Sequence, residues 1–234
     1  MSPGGLPAFT DVPAGSLPPV PPGRPTSTDG FGLAVVPTTV GQYWRSLVDR
    51  DLTGAPAPRL HGFPTAAGTG LRSTAFGSVE TDEELSDLPV TGVTWHGAVA
   101  YCTWLTSVTG AGCRLPTAAE WQYAASGPDR VRWSLGDGFD RAVYAPAAQL
   151  PRPVGRTPAS AFGLQDMTGN VFEWCTDATA ATGSRVIKGG AYTVRNPESF
   201  ENAAMFSADA LSAVPYIGFR VLRSSALPGT DGLG

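Results

Sequence analysis

The stretch Gly163-Leu-Gln-Asp-Met-Thr-Gly-Asn-Val-Phe-Glu-Trp174 decides how the rest of this chain is interpreted. It places two carboxylates, Asp166 and Glu173, on either side of Gly169-Asn170, a pair typical of turns because both residues tolerate the left-handed backbone region. With exposed carbonyl oxygens and an acid at each end, such a turn could surround a hard cation through oxygen ligands. The alternative is a turn between two core strands, in which the two acids bond nearby backbone amides. The spacing leaves both interpretations open.

Composition limits the class of protein. The chain has 234 residues, of which 42% are hydrophobic and 15% charged, with 29 Gly and 22 Pro. These values favour one domain with a real core, short elements and much irregular backbone. The net charge of −4, with Lys188 as the only lysine, argues against binding nucleic acid or an anionic membrane surface, because phosphate binding needs clustered Lys and Arg.

The N-terminus lacks a basic start followed by an apolar core, and no apolar run approaches membrane-spanning length. We therefore expect a soluble protein made in the cytoplasm without signal peptide or membrane insertion. Display on a virion or a cell surface stays open.

The cysteines and histidines form no recognisable metal spacing. Cys102, Cys113 and Cys175 make neither a ligand motif nor a disulfide framework, and two of them stand beside aromatic residues, where a thiol usually acts as a small hydrophobe. His61 lies in a loop, and His96 lies off the apolar stripe of a predicted helix.

Three helices are predicted from capping residues and apolar spacing. A helix from Thr94 to Gly110 carries an apolar stripe and ends at a glycine. The other two begin with capping boxes, in which a threonine is followed three residues later by Gln or Glu. These pairs are Thr39 with Gln42 and Thr117 with Glu120. Predicted strands cover residues 9–17 with a turn, 132–136, 185–188 and 219–222, and a long loop covers residues 51–88.

Eight segments, in order along the chain, together resemble the formylglycine-generating-enzyme (sulfatase-modifying factor) family. An ordered set of motifs is far more specific than any one of them. The segments are Val12-Pro-Ala-Gly-Ser16, Val36-Pro-Thr-Thr-Val-Gly-Gln-Tyr43, Pro89-Val-Thr-Gly-Val-Thr-Trp95, Ala100-Tyr-Cys-Thr-Trp104, Arg114-Leu-Pro-Thr-Ala-Ala-Glu-Trp121, the Gly163 to Trp174 stretch, Lys188-Gly-Gly190 and Gly218-Phe-Arg220.

The resemblance implies an α+β, C-type lectin-like fold with short antiparallel sheets, two or three helices and much irregular loop. It implies a single domain over residues 9–223, after an N-terminal extension of residues 1–8 and before a flexible tail of residues 224–234.

The resemblance also implies a structural calcium site in the Gly163 to Trp174 stretch. Asp166 and Glu173 would give side-chain oxygens, and Gly169 and Val171 would give main-chain carbonyls. Asp166 stands where the enzymes of the family carry an amide, a change that adds negative charge and favours a cation.

The enzymatic part of the family pattern is missing. Formylglycine-generating members use a cysteine pair after the Gly-Gly motif to hold copper, whereas here the segment Ala191–Ile217, which we name the closing segment, has no cysteine and no histidine. Copper(I) needs thiolate or imidazole ligands. The iron-dependent relatives take their histidines largely from an additional domain, and two histidines cannot make a three-histidine site. We therefore expect no enzyme of either kind.

A non-catalytic branch has the same fold. Variable proteins of diversity-generating retroelements place hypervariable residues between the Gly-Gly and Gly-Phe-Arg motifs, where this chain has a paratope-like mixture of Tyr, Ser and Asn. The resemblance implies binding of an unknown protein or cell-surface ligand through this face. Alternatives are an ordinary surface loop, a divergent oxidoreductase of the family, and a structural module of a larger particle. The predicted ligand-binding residues are Tyr192, Val194, Asn196, Phe200, Asn202, Ser207, Asp209, Ser212, Val214 and Tyr216.

Overall fold

The structure is a computed structural model that describes residues 5–19, 26–52, 71–73, 79–81, 83–147 and 150–224. His61, most of the loop predicted over residues 51–88, residues 1–4 of the predicted extension and residues 225–234 of the predicted tail lie outside the described residues. The division into extension, domain and tail stays a prediction.

Short strands and helices alternate with irregular backbone, as the α+β prediction requires. The strands are β1 (Phe9–Val12), β2 (Gly15–Leu17), β3 (Thr26–Thr28), β4 (Phe31–Ala34), β5 (Leu71–Ser73), β6 (Val79–Thr81), β7 (Cys113–Arg114), β8 (Phe172–Ala178), β9 (Ser184–Lys188), β10 (Phe206–Asp209), β11 (Ile217–Gly218) and β12 (Leu222–Ser224). The helices are α1 (Val40–Leu52), α2 (Trp95–Thr109), α3 (Ala118–Ser126) and α4 (Arg141–Tyr144), with 3₁₀ turns at Glu83–Leu85 and Pro197–Phe200.

Two four-stranded sheets dominate the part of the chain that the structure describes. The first has the order β1-β4-β12-β7 and is antiparallel, so it joins the beginning of the chain to its end. The second has the order β10-β9-β8-β11, in which β11 pairs parallel to β8. The prediction of antiparallel sheets is therefore correct except for this last pair, which forms because the closing segment returns across the sheet before joining β8.

The helices begin where the capping residues predict. Thr39 and Gln42 exchange hydrogen bonds of 3.1 and 3.2 Å between side chain and backbone, which completes the capping box of α1. Thr94 accepts a hydrogen bond from the Gly97 amide at the start of α2, and Gly110 ends that helix with φ of 71°. The capping box of α3 is also complete.

An aromatic stack lies where α1, α2 and the end of the chain meet. Tyr43 stacks on Tyr101 at 5.9 Å, and Tyr101 meets the Phe219 ring edge-on at 5.4 Å. All three are buried, which fixes both helices against the strand end that carries the Gly-Phe-Arg motif.

Three local predictions need correction. Residues 132–136 form a tight turn rather than a strand, because Trp133 and Gly136 exchange backbone hydrogen bonds with each other at 3.0 Å. The last strand begins at Leu222, since the carbonyls of Phe219 and Val221 accept hydrogen bonds from separate loop and strand-end amides, those of Thr38 and Ala34. A fourth, four-residue helix, α4, was not predicted; it is capped by the Asp140 side chain.

The Gly169-Asn170 turn has the predicted left-handed backbone. Gly169 has φ of +90° and Asn170 has φ of +65°. A Cβ added at Gly169 would overlap the carbonyl oxygen of Tyr144, so the position requires glycine for its space as well as for its backbone.

We expect Gly169→Ala to destabilise the protein more than Gly183→Ala. Both glycines have positive φ, which costs an alanine about 1–2 kcal/mol. At Gly183 an added Cβ meets nothing within 4 Å, whereas at Gly169 the backbone of Tyr144 must move. Urea unfolding of the two variants measures the loss in free energy of unfolding. Equal losses would show that the Tyr144 backbone moves away from the new Cβ without destabilising the protein.

Candidate functional site

The two acids of the Gly163 to Trp174 stretch are buried and bonded inside the protein. Glu173 is 1% exposed, and its Oε2 accepts hydrogen bonds from Trp121 Nε1 and Arg220 Nε, both at 2.7 Å. Its Oε1 accepts a hydrogen bond from Arg220 Nη2, also at 2.7 Å. Glu173 and Arg220 therefore form a bidentate, fully buried ion pair.

The remaining donors of Arg220 bind backbone carbonyls from two separate parts of the chain. Its Nη1 donates to Ala34 and Val35, at the end of β4, at 3.0 and 3.3 Å. Its Nη2 also donates to Gln165 and Asp166 at 3.0 and 3.3 Å. One guanidinium thus joins β4, the Gly163 to Trp174 stretch and the Gly-Phe-Arg motif.

Asp166 holds a neighbouring loop. It is 1% exposed and has φ of +54°. Its Oδ2 accepts a hydrogen bond from the Gly155 amide at 2.5 Å, and its Oδ1 accepts one from the Thr157 amide at 3.3 Å. Asp166 therefore bonds nearby backbone amides, as the turn interpretation expects, whereas Glu173 bonds the side chains of Trp121 and Arg220, which neither interpretation named.

A calcium ion would have to bind carboxylate lone pairs of Asp166 and Glu173 that these hydrogen bonds do not occupy. An ionised carboxylate can accept about four hydrogen bonds. Glu173 accepts three and Asp166 two, so each keeps acceptor capacity for a cation. The guanidinium at Glu173 opposes a second positive charge there. The set of Asp166, Gly169, Val171 and Glu173 thus fits calcium only through these remaining acceptor sites, and calcium stays a prediction.

No group of three or more His, Cys, Asp and Glu side chains within the described residues could hold a metal ion. The predicted calcium ligands include only two acidic side chains and rely on carbonyls otherwise, so this finding does not bear on them. Over the same part of the chain, no helix has the length and apolar character needed to cross a membrane.

The Gly163 to Trp174 stretch also holds both ends of the closing segment. The Tyr192 amide donates to the Asn170 carbonyl at 2.9 Å, and the Phe172 amide donates to the Tyr216 carbonyl at 2.9 Å. Between these two anchors the segment is irregular apart from the 3₁₀ turn Pro197–Phe200 and the strand β10, which pairs with β9.

Eight of the ten predicted ligand-binding residues reach the surface of the closing segment. Tyr192 and Tyr216 lie at its two ends, and the Tyr192 hydroxyl donates to the Pro215 carbonyl at 3.2 Å, which closes the loop on itself. Burial, with a smaller contribution from Tyr216, raises the pKa of Tyr192. The residues with exposed or half-buried side chains are Tyr192, Val194, Asn196, Ser207, Asp209, Ser212, Val214 and Tyr216.

Phe200 and Asn202 are corrections, because the structure places them inside the protein. Phe200 is 0% exposed and packs with Trp133, Phe139 and Tyr144. Asn202 is 1% exposed, and its side-chain amide donates to the Val131 carbonyl at 2.9 Å. These two side chains support the loop and are closed to a partner.

Lys188 supports the same part of the loop from below. Its Nζ donates to the Asn202 carbonyl at 2.7 Å and lies 5.5 Å from the centre of the Trp121 ring. Burial lowers the pKa of this lysine to about 8. The only lysine of the chain is thus part of the scaffold.

The predicted ligand-binding residues leave out the large exposed apolar side chains of the closing segment. Within the described residues, seven large hydrophobic side chains are exposed, and three of them belong to this segment. Met205 is 39% exposed, Phe206 40% and Leu211 60%. Met205 and Phe206 lie at the start of β10, an edge strand. Apolar residues that alternate with serine and aspartate there are the sequence signal that could have indicated exposure.

The three cysteines lie outside the closing segment, and their surroundings keep the thiols protonated. Cys102 and Cys175 are buried, and burial raises the pKa of all three thiols. The thiolate is the form that binds metal or attacks a substrate, and this environment disfavours it.

Comparison with known proteins agrees with this architecture. Residues 3–225 match the model of the family described as the sulfatase-modifying factor enzyme 1-like domain. A formylglycine-generating enzyme of Mycobacterium tuberculosis is 34% identical over 184 residues, covering 59% of each chain. The serine/threonine-protein kinase pkn1 of Chlamydia caviae is 42% identical over 90 residues, 38% of this chain. This chain spans 14% of the length of that kinase.

A solved structure, Treponema denticola variable protein 1, has a similar fold. It superimposes with a TM-score of 0.67 at 17% identity, over 92% of this chain and 94% of its own. At this identity the likeness concerns the fold. The predicted C-type lectin-like fold of the formylglycine-generating-enzyme type is therefore confirmed.

We expect Arg220→Met to destabilise the protein far more than Arg223→Met. Loss of Arg220 leaves Glu173 as an uncompensated buried charge, which costs about 3–5 kcal/mol. Arg223 pairs at 3.4 Å with Asp11, whose side chain is 89% exposed, and a surface pair of this kind contributes about 1 kcal/mol or less. Chemical denaturation of both variants measures the loss in free energy of unfolding. Similar losses would show that the buried Arg220–Glu173 pair stabilises the fold no more than a surface pair does.

Proposed function

Because this chain belongs to the family of sulfatase-modifying factor enzyme 1-like domains, we propose that it is a non-catalytic member that binds a protein or cell-surface ligand through its closing segment. The observation that carries the proposal is the exposure of Met205, Phe206 and Leu211 on a loop whose two ends are fixed. Large apolar side chains that a fixed segment leaves exposed to water are available for a partner to cover.

The closing segment combines adaptable and rigid contact groups. Tyr192 and Tyr216 give large amphipathic surfaces that lose little entropy on binding, and Ser207 and Asp209 give hydrogen-bonding groups between the apolar residues. The Phe206 ring rests edge-on against Phe172 at 5.4 Å, so this apolar contact group is held in place before a ligand arrives.

The scaffold supports binding because it does not need the exposed side chains. Phe200, Asn202 and Lys188 hold the loop from the inside, while the Gly163 to Trp174 stretch holds its ends. Surface residues of such a loop can change without loss of the fold, and function on a fixed scaffold is commonly placed there.

The thiols support the non-catalytic part of the proposal. Copper-dependent oxidation of a substrate cysteine needs accessible thiolates, and here burial raises the pKa of Cys102 and Cys175. The closing segment offers neither thiol nor imidazole. Treponema denticola variable protein 1 has a similar fold, which is compatible with a binding role for this fold.

We expect the double variant Met205→Ser, Leu211→Ser to lose ligand binding without losing stability. Wild-type protein is first screened against arrayed purified bacterial surface proteins and glycans, and the affinity of each variant for the bound molecule is then measured. Truncation of central apolar contacts typically weakens binding by about tenfold or more. The melting temperature should stay unchanged, because both side chains are exposed.

Val108→Ser is the matched control. Val108 is 46% exposed on α2, away from the closing segment. This variant should bind like the wild type. Equal binding by the double variant, an equal loss in the control, or the absence of any bound molecule on the arrays would reject the assignment of the closing segment.

We further propose that calcium, held by Asp166, Gly169, Val171 and Glu173, stabilises this scaffold. Calcium bound only to the folded protein raises the free energy of unfolding by about 2.7 kcal/mol at a hundred times its dissociation constant. The melting temperature should rise on calcium addition, fall with a chelator, and respond to neither in Asp166→Ala. A wild-type melting temperature that responds to neither reagent would show that Asp166 and Glu173 are held by their hydrogen bonds within the protein alone, without calcium.

A further inference from the structure

An open groove lies between α4 and the beginning of the closing segment. Its volume is about 570 Å³. Two arginines and four small apolar residues line it, and both arginine side chains are exposed. The lining residues are Arg141, Ala142, Ala145, Pro146, Ala147 and Arg195.

Backbone carbonyls hold both guanidinium groups in place. Arg141 Nη2 donates to the Arg195 carbonyl at 3.0 Å. Arg195 Nη1 donates to the carbonyls of Tyr192 and Val194 at 2.7 and 3.2 Å. A guanidinium has five N–H donors, so most of the donors on each side chain remain for a ligand.

Among the residues that the structure describes, no carboxylate forms an ion pair with either of these two positive charges. Four ion pairs form among the residues that the structure describes, and none includes Arg141 or Arg195. The nearby Asp140 uses its carboxylate to cap α4, accepting hydrogen bonds from the amides of Ala142 and Val143. Two fixed and unneutralised guanidinium groups beside an apolar floor are complementary to a carboxylate next to an apolar group.

We propose that this groove binds an acidic segment of a partner protein, with an Asp or Glu carboxylate between Arg141 and Arg195 and a neighbouring aliphatic side chain on Ala142, Ala145 and Pro146. The proposal concerns a site apart from the exposed apolar side chains of Met205, Phe206 and Leu211, and it does not depend on them.

A peptide carboxylate suits the groove better than a polyanion does. The chain has a net charge of −4 and a single, buried lysine, and the adjoining cleft adds one half-buried arginine, Arg152, so an extended polyphosphate or sulfated sugar would meet little further positive charge. The alanine and proline floor offers apolar contact rather than hydrogen bonds to sugar hydroxyls. A single carboxylate can accept hydrogen bonds from the free N–H groups of Arg141 and Arg195, and unlike a polyanion it needs no further positive charge.

A smaller cleft continues the groove toward the closing segment. It shares Ala145 and Pro146 with the groove and is also lined by Leu150, Arg152 and Tyr192. Arg152 is held by its Nη2 hydrogen bond to the Val143 carbonyl. A partner segment lying along the groove would therefore run toward Tyr192, at one edge of the proposed recognition surface.

Fluorescence anisotropy with a defined peptide tests the proposal. The probe is a fluorescein-labelled Ala-Leu-Glu-Leu-Ala peptide with blocked ends, and its partner probe has Gln in place of Glu. Wild-type protein should bind the Glu peptide about tenfold more tightly than the Gln peptide, since hydrogen bonds to charged groups are stronger than neutral ones. The double variant R141Q/R195Q, which keeps the side-chain length and an amide donor, should remove this preference.

Controls separate this site from loss of folding and from the other surface. R156A removes an exposed arginine that does not line the groove, and M205S/L211S alters the apolar surface. Both should keep the Glu preference, and R141Q/R195Q should keep the wild-type melting temperature. Equal affinity for the two peptides, no binding of either, a preference that survives in R141Q/R195Q, or displacement of the Glu peptide by heparin at lower concentration than by free acidic peptide would overturn the proposal.

Discussion

The buried guanidinium of Arg220 is the interaction on which the rest of the structure depends. It neutralises Glu173 and donates to carbonyls at the end of β4 and in the Gly163 to Trp174 stretch. These segments are far apart in sequence, and each contributes acceptors that would be costly to bury without a partner. The neighbouring residues of the motif have related roles: Phe219 completes the aromatic stack, and Gly218 allows the close approach of the Val90 carbonyl.

This arrangement separates the forces that fold the protein from the surface that remains for binding. The closing segment is fixed by backbone hydrogen bonds at its two ends and by the pairing of β10 with β9. The buried side chains of Phe200, Asn202 and Lys188 support it from inside. Its outward side chains contribute little to these contacts. The same frame can therefore carry different surface residues, because their replacement leaves the buried ion pair and its hydrogen bonds intact.

The helix starts and the Gly169-Asn170 turn could be predicted from the sequence because they depend on local interactions. Capping boxes and the Gly169-Asn170 turn involve residues within a few positions of each other, so their structures follow from spacing. Which side chains of the closing segment are buried does not follow from local spacing. Phe200 resembles its exposed neighbour Phe206 in sequence, and only contacts with the distant Trp133 and Tyr144 place it in the core. The partner of Glu173 was equally hidden, because a carboxylate shortly after a turn suits a cation whether that cation is calcium or an arginine 47 residues away.

The arginines of this chain show how the same side chain serves opposite purposes. Arg220 is buried, and its charge is matched by a carboxylate, so its hydrogen bonds are spent on holding the fold. Arg141 and Arg195 are exposed and held by backbone carbonyls, which fix their geometry without cancelling their charge. A carbonyl acceptor orients a guanidinium but leaves its electrostatic attraction for anions largely in place. In an acidic chain with one buried lysine, a pair of arginines fixed in this way concentrates positive charge at one groove, and that favours recognition of a single carboxylate over general attraction to polyanions.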